Sequence, residues 1–181
     1  MNLLCKDKEK LDVEAARAMM KKWLTFNFYE GGREWHYRNI KPRLLCEKFI
    51  VDPDHSELQD YKMLTFSGEV KYIWVEYFKG GRKFLNFYDS QWRFHPEKTD
   101  GLPNGEAADV PKPICLDEML SVAEKLSSGF PQCRVDFYVV GGSRLVFGEL
   151  TFTCGNGCNK FRPQAFCEEL GGYIKLPKEM L

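Results

Sequence analysis

The stretch Arg134-Val135-Asp136-Phe137-Tyr138-Val139-Val140-Gly141-Gly142-Ser143-Arg144-Leu145-Val146-Phe147-Gly148-Glu149-Leu150-Thr151-Phe152-Thr153 decides the fold. It reads as two strand-type runs, 132–140 and 144–153, rich in β-branched and aromatic residues and joined through Gly141-Gly142-Ser143. Side chains alternate along a strand, so Arg134 and Asp136 share one face, and Glu149, Thr151 and Thr153 share one face of the partner run. A two-residue Gly141-Gly142 turn sets Arg134 opposite Glu149. A four-residue Gly141–Arg144 loop sets Asp136 opposite Glu149 and Arg134 opposite Thr151. Either even-numbered loop gathers Arg134, Asp136, Glu149 and Thr151 on one face.

Directly opposed residues have Cβ atoms roughly 4.5–5.5 Å apart, and two carboxylates at that spacing repel and desolvate each other. Two resolutions stand open. A hard cation such as Mg²⁺ takes carboxylate oxygens and keeps its other positions for water and phosphates; alternatively the arginine neutralises the acids and no metal is needed.

Working outward, 116–130 has a helical apolar face at Met119, Leu120, Ala123 and Leu126, with Asp117 as cap and Gly129 as stop. Before it, 101–113, with three prolines and two glycines, reads as a polar loop or linker and the best internal boundary. Asp60–Ser67 and Val70–Tyr77 form a hairpin about Gly68-Glu69, and Lys83–Asp89 is a further strand. Arg43–Ile50 and Asn2–Cys5 also read as strands, and Val51–Glu57 as a surface excursion. Asp12 caps a helix with Ala16, Met19, Met20, Trp23 and Leu24 on one stripe, ending before Gly31-Gly32. The loop 32–43 mixes bases with aromatics, which suits either an RNA- or anion-binding loop or a solvated basic loop anchored by its aromatics. After Cys154-Gly155-Asn156-Gly157, a short helix over 163–170 closes the chain.

Composition limits the function classes. The chain has 181 residues, 44% hydrophobic and 29% charged, which is ordinary for a globular protein of one domain with room for a core. Its 26 basic and 26 acidic side chains cancel, so no overall field holds a nucleic acid or an anionic membrane, and any anion site is local. Apolar runs are strand-sized, far from the ~20 residues of a membrane span. The start lacks a signal peptide's apolar region, and seven irregularly spaced cysteines fit reduced thiols. The chain reads as cytoplasmic.

The hairpin resembles the metal-binding hairpin of ATP-grasp ligases. Together with Glu34-Trp35, Asn39-Ile40-Lys41-Pro42-Arg43, Asp60-Tyr61-Lys62 and 130–138, it is similar to the TupA-like branch, named for teichuronopeptide and polysaccharide biosynthesis. The resemblance runs from Asn2 to Pro177 and implies an α+β fold, an antiparallel sheet with flanking helices. Residues 1–50 would be the remainder of a first subdomain up to an adenine hinge strand, and 51–181 the second, with the metal hairpin. The implied chemistry uses ATP and Mg²⁺ to activate a carboxylate as an acyl phosphate, which an amine attacks.

By position, the resemblance implies that Asp136, Glu149 and Thr151 are metal ligands, and that Arg134 steadies the phosphoryl group or the substrate carboxylate. Glu47 and the backbone of Lys48, Phe49 and Ile50 would hold adenine, Asp60 the ribose, and Lys62 would turn its charge to the phosphates. Many ATP-grasp proteins have Asn where Thr151 stands, and a hydroxyl is the poorer ligand.

Family members also carry an N-terminal domain, a lysine and a glycine-rich phosphate loop; here Asn2–Cys5 falls where the strand after that loop belongs. The expectation is therefore a C-terminal portion of the fold, weak or inactive as a ligase by itself, either a gene fragment or a module completed by another chain. The implied partners are a nucleotide and a carboxylate-bearing substrate, a glycan among the candidates. The alternatives are a non-catalytic nucleotide- or glycan-binding module, or an interaction module using the Arg33–Arg43 loop.

Overall fold

The computed structural model describes residues 2–54 and 57–176. The chain falls into two compact units, 1–50 and 51–181.

The first unit is helical. Helix α1, Val13–Trp23, begins where the Asp12 carboxylate accepts from the Ala15 amide at 2.9 Å, satisfying one of the donors a helix start leaves open. It ends at Trp23 instead of running on toward Gly31, because Asn27 caps a separate helix: its side chain accepts from Tyr29 N, and α2 covers Phe28–Gly32. Arg33 closes α2 in the left-handed conformation, its amide donating to Tyr29 O.

The basic-aromatic loop that follows is packed on itself. Phe28 meets Tyr37 edge-on, and the guanidinium groups of Arg33 and Arg38 lie over Tyr29 and Trp35 at 5.5 and 4.8 Å. No strand forms over 2–5 or 43–50. The expected hinge strand is therefore corrected: a strand needs a ladder partner for its amides and carbonyls, the unit has none among the described residues, and Leu45 stays 85% exposed.

The second unit is a five-stranded, wholly antiparallel sheet in the order β3-β2-β1-β4-β5, built from β1 Asp60–Phe66, β2 Glu69–Lys79, β3 Arg82–Asp89, β4 Gln132–Val140 and β5 Arg144–Thr151. With helices α3, Leu116–Ser127, and α4, Gln164–Gly172, this is the expected α+β, ATP-grasp-like architecture.

Helix α3 packs on one face, where Met119 and Ala123 join Met63, Ile73, Val75, Val135 and Phe137 in a fully buried cluster. Burying one such side chain contributes about 1.5–3 kcal/mol. Helix α4 lies on the other face, inserting Phe166 and Leu170 among Leu64, Phe66, Tyr72, Trp74, Leu85 and Phe87.

Two expectations about α3 and its approach are revised. Residue Cys115, not Asp117, occupies the N-cap position, and Asp117 sits in the first turn, where the helix dipole favours a negative charge. The stretch 101–113 is no boundary: Leu85 N donates to Pro103 O, and the buried Asn86 accepts from Gly105 N and donates to Glu106 O. These bonds fasten it along the outer edge of β3. Among the described residues no helix is long and apolar enough to cross a membrane.

Candidate functional site

The face of the sheet that carries α4 turns charged toward β5. Strand β4 puts Arg134 and Asp136 there, and β1, its neighbour, puts Asp60 and Lys62 there, with Lys62 directly opposite Asp136. Strand β2 adds Trp74 opposite Lys62 and Glu76 opposite Asp60.

How Glu149 reaches this face is a matter of one residue. Val140 pairs with Arg144, so the hairpin loop has three residues, neither the two nor the four expected. Continued regularly, that register would set Asp136 against Gly148 and send Glu149 to the α3 face. The ladder instead shifts between Asp136 and Phe137, so Phe137 pairs with Phe147 but Asp136 with Glu149 and Arg134 with Thr151. An extra residue in one strand reverses its parity beyond that point. Residue Gly148 is that residue, and a Cβ on it would stand 3.0 Å from the Asp136 carbonyl oxygen. The bulge restores the facing pair of the four-residue alternative.

Arg134 is the hub. Its Nε and Nη2 donate to the two oxygens of Asp136 at 2.7 and 2.6 Å, a bidentate pair of the strongest hydrogen-bonded kind. Nη2 also reaches Glu149 Oε1 at 3.2 Å and Thr151 Oγ1 at 3.1 Å, and Nη1 donates to Cys154 Sγ at 2.7 Å. The guanidinium carbon lies 5.7 Å from the Trp74 ring centroid. Thr151 donates its hydroxyl proton to Glu149 Oε1 at 2.8 Å. Arg134 and Asp136 are buried, 8% and 4% exposed, whereas the Glu149 side chain is 63% exposed.

Lys62, also buried, sits among three acids: it is paired with Asp60, 3.6 Å from Asp136 Oδ2 and 4.0 Å from Glu76 Oε2. Lys83 on β3 closes on Glu76 at 2.6 Å. Asp60, Glu76, Asp136 and Glu149 thus face Lys62, Lys83 and Arg134, four carboxylates against three cations.

Burial pushes the Asp136 carboxyl above its ordinary range, against the pull of the Arg134 hydrogen bonds and charge. For Arg134 burial works against the charge, but the Asp136 carboxylate prevails and holds the guanidinium above its usual value. Burial likewise raises the Cys154 thiol, opposed by Arg134. The Lys62 ammonium, 3.6 Å from Asp136 Oδ2, adds a second pull toward the charged carboxylate.

The structure therefore gathers six of the sequence-derived candidates, Asp60, Lys62, Arg134, Asp136, Glu149 and Thr151. Glu47, Lys48, Phe49 and Ile50 lie in the first unit, where Glu47 to Phe49 are exposed and the Lys6 ammonium stands 5.7 Å from the Phe49 ring. Glu76, Lys83, Trp74 and Cys154 are members that sequence reasoning missed. Alternation placed Glu76 and Trp74 on one face of their strand, but only cross-strand register says that this face is the charged one.

The donors are hard oxygens, which suits Mg²⁺. Among the described residues no three His, Cys, Asp or Glu side chains form a ready metal cage. What the residues fit is a cation held by one or two carboxylates and completed by phosphate oxygens and water.

The model of one family, described as TupA-like ATPgrasp, matches residues 2–175. Neither the comparison with curated proteins nor that with solved structures gives a match.

Proposed function

Because this chain belongs to the TupA-like ATP-grasp family, we propose that its second unit binds ATP with Mg²⁺ and supports ATP-dependent carboxylate–amine ligation in cell-surface polysaccharide synthesis. The observation that carries this reading is the constellation on β4 and β5: two carboxylates facing each other across the ladder, one of them buried, with an arginine fork between them.

In this proposal Asp136 and Glu149, with Thr151 beside them, hold Mg²⁺, which supplies charge neutralisation at the phosphates. Arg134 has the planar, multiply donating geometry that grips a phosphoryl group or carboxylate in two places. Lys62 adds positive charge one strand away and Asp60 accepts from the ribose. Glu47 and the backbone of 48–50 are the adenine contacts that the family resemblance implies. The acceptor's carboxylate oxygen attacks the γ-phosphorus and ADP leaves. An amine then attacks the acyl carbon, phosphate departs, and the C–N bond replaces the C–O bond. Phosphoryl transfer of this kind is mostly positioning and electrostatics, so the chain's contribution is to orient the phosphates and neutralise their charge.

One observation favours a second reading, a non-catalytic nucleotide- or glycan-binding module. Both oxygens of Asp136 are already satisfied by Arg134, so the cluster is stable without a metal.

The test is thermal unfolding with ATP and Mg²⁺. A ligand at a hundredfold excess over its Kd adds about 2.7 kcal/mol of stability, and Glu149→Gln, an exposed change, should abolish that gain while leaving the unliganded protein as stable as before. No stabilisation by MgATP in the native sequence rejects the first reading and the nucleotide-binding form of the second; stabilisation without turnover of ATP in the presence of carboxylate and amine acceptors selects that nucleotide-binding form.

A further inference from the structure

The Arg134 guanidinium holds the same oxygens a metal would need. It takes Oδ1 and Oδ2 of Asp136 and Oε1 of Glu149 at once, Nη2 also reaching Thr151 Oγ1, and its remaining nitrogen, Nη1, is tied to Cys154 Sγ. Cys154 is itself fixed, accepting from Asn159 Nδ2 at 3.0 Å, and Trp74 lies beneath the guanidinium. Lys62 stands 3.6 Å from the same Asp136 oxygen that Nη2 grips. Every contact that fixes the side chain therefore fixes it against the two carboxylates.

Resting on the reading above, we infer that Arg134 is the resident counter-ion of the hairpin, and that it excludes a free divalent cation until a phosphate group draws it away. A free hydrated Mg²⁺ offers Asp136 and Glu149 a cation but leaves the buried guanidinium with no anion in exchange, and Mg²⁺ gives up its own water reluctantly. A polyphosphate carrying the cation supplies both halves of the exchange. Its oxygens match the two-pronged donor geometry of Arg134, and the carboxylates it vacates receive the metal. The hairpin thus takes the metal only together with the phosphate, and Arg134 sets that order.

The inference is tested without turnover, by Mn²⁺ binding followed through its electron paramagnetic resonance signal. The native protein should leave Mn²⁺ alone unbound at millimolar concentration and take it up when ATP or tripolyphosphate is added. Arg134→Gln should bind Mn²⁺ without any phosphate at least tenfold more tightly than the native chain, and adding Glu149→Gln to that variant should remove the gain.

Arg134→Lys, which keeps the charge but not the fork, should fall between the two and guards against a folding defect in Arg134→Gln. Native protein that binds Mn²⁺ alone as tightly as with ATP overturns the inference while the metal assignment survives. Native protein that binds no Mn²⁺ even with ATP overturns the metal assignment on which the inference rests.

Discussion

The two faces of β4 are almost equally buried and chemically opposite. Val135 and Phe137, 0% and 1% exposed, pack beneath α3 into an apolar layer, while one residue along in each direction Arg134 and Asp136 are buried in a network of ions. Burial on the first face comes from close packing, which is nondirectional and rewards any side chain of the right volume. On the second it is achieved only by satisfying each charge with a partner at a set distance, because an unmatched charge in low dielectric is costly. Hydrophobicity alone therefore describes one face and misses the other.

The comparison can be broken most directly by single changes on each side. Phe137→Ala should cost about 3–5 kcal/mol in urea unfolding by leaving a cavity, without altering the arrangement at Arg134. Asp136→Ala should cost a similar amount, about 3–5 kcal/mol, by stranding the buried guanidinium. The distinction appears in the double change Arg134→Met with Asp136→Leu, which should recover most of that loss, since replacing a buried ion pair by apolar residues is often neutral or stabilising. Failure of the double variant to recover would mean that the pair stabilises the fold as the apolar layer does.

A smaller effect is expected at the bulge. Gly148→Ala brings a Cβ against the Asp136 carbonyl and should destabilise by roughly 1–3 kcal/mol, while weakening stabilisation by MgATP because Glu149 is displaced. Gly129→Ala, where a Cβ meets nothing within 4 Å, is the control and should leave nucleotide stabilisation unchanged. Equal nucleotide responses in the two variants would remove the bulge from the site.

The smallest effect is in acid. At Glu169 burial raises the carboxyl, but hydrogen bonds from Tyr72, Lys98 and Tyr173 outweigh it and hold the group below its ordinary value. A depressed carboxylate contributes stability that is present above its unfolded pKa, about 4.3, and lost as pH falls through the folded value. Glu169→Gln should flatten the acid limb of the stability profile measured below about pH 4.5, and an unchanged limb would show that α4 is not anchored this way.

Much of this was legible beforehand. The 3.6-residue stripe at Ala16, Met19, Met20 and Trp23 and the cap at Asp12 predict α1, and the two runs about Gly68-Glu69 predict the β1–β2 hairpin, whose turn falls one residue earlier at Ser67-Gly68, since both are local. The strands expected at 2–5 and 43–50 failed for a nonlocal reason: a strand exists only if another lies beside it. The 101–113 segment misled for the same reason, its prolines and glycines marking a turn-rich path but not the Asn86 bonds that hold it to β3.

At the site, that Arg134 and Asp136 share a face is determined by the sequence alone, because the two-residue period of a strand needs no partner. The residue types are equally local: hard carboxylate oxygens beside a guanidinium suit either a cation and phosphate site or a cluster of ions that neutralise one another. That Glu149 meets them, that Lys62 lies opposite Asp136, and that Glu76 and Lys83 complete the charge balance were decided by the folded sheet. Register is a property of pairs of strands, and a single bulge at Gly148 reverses the parity that alternation would otherwise impose.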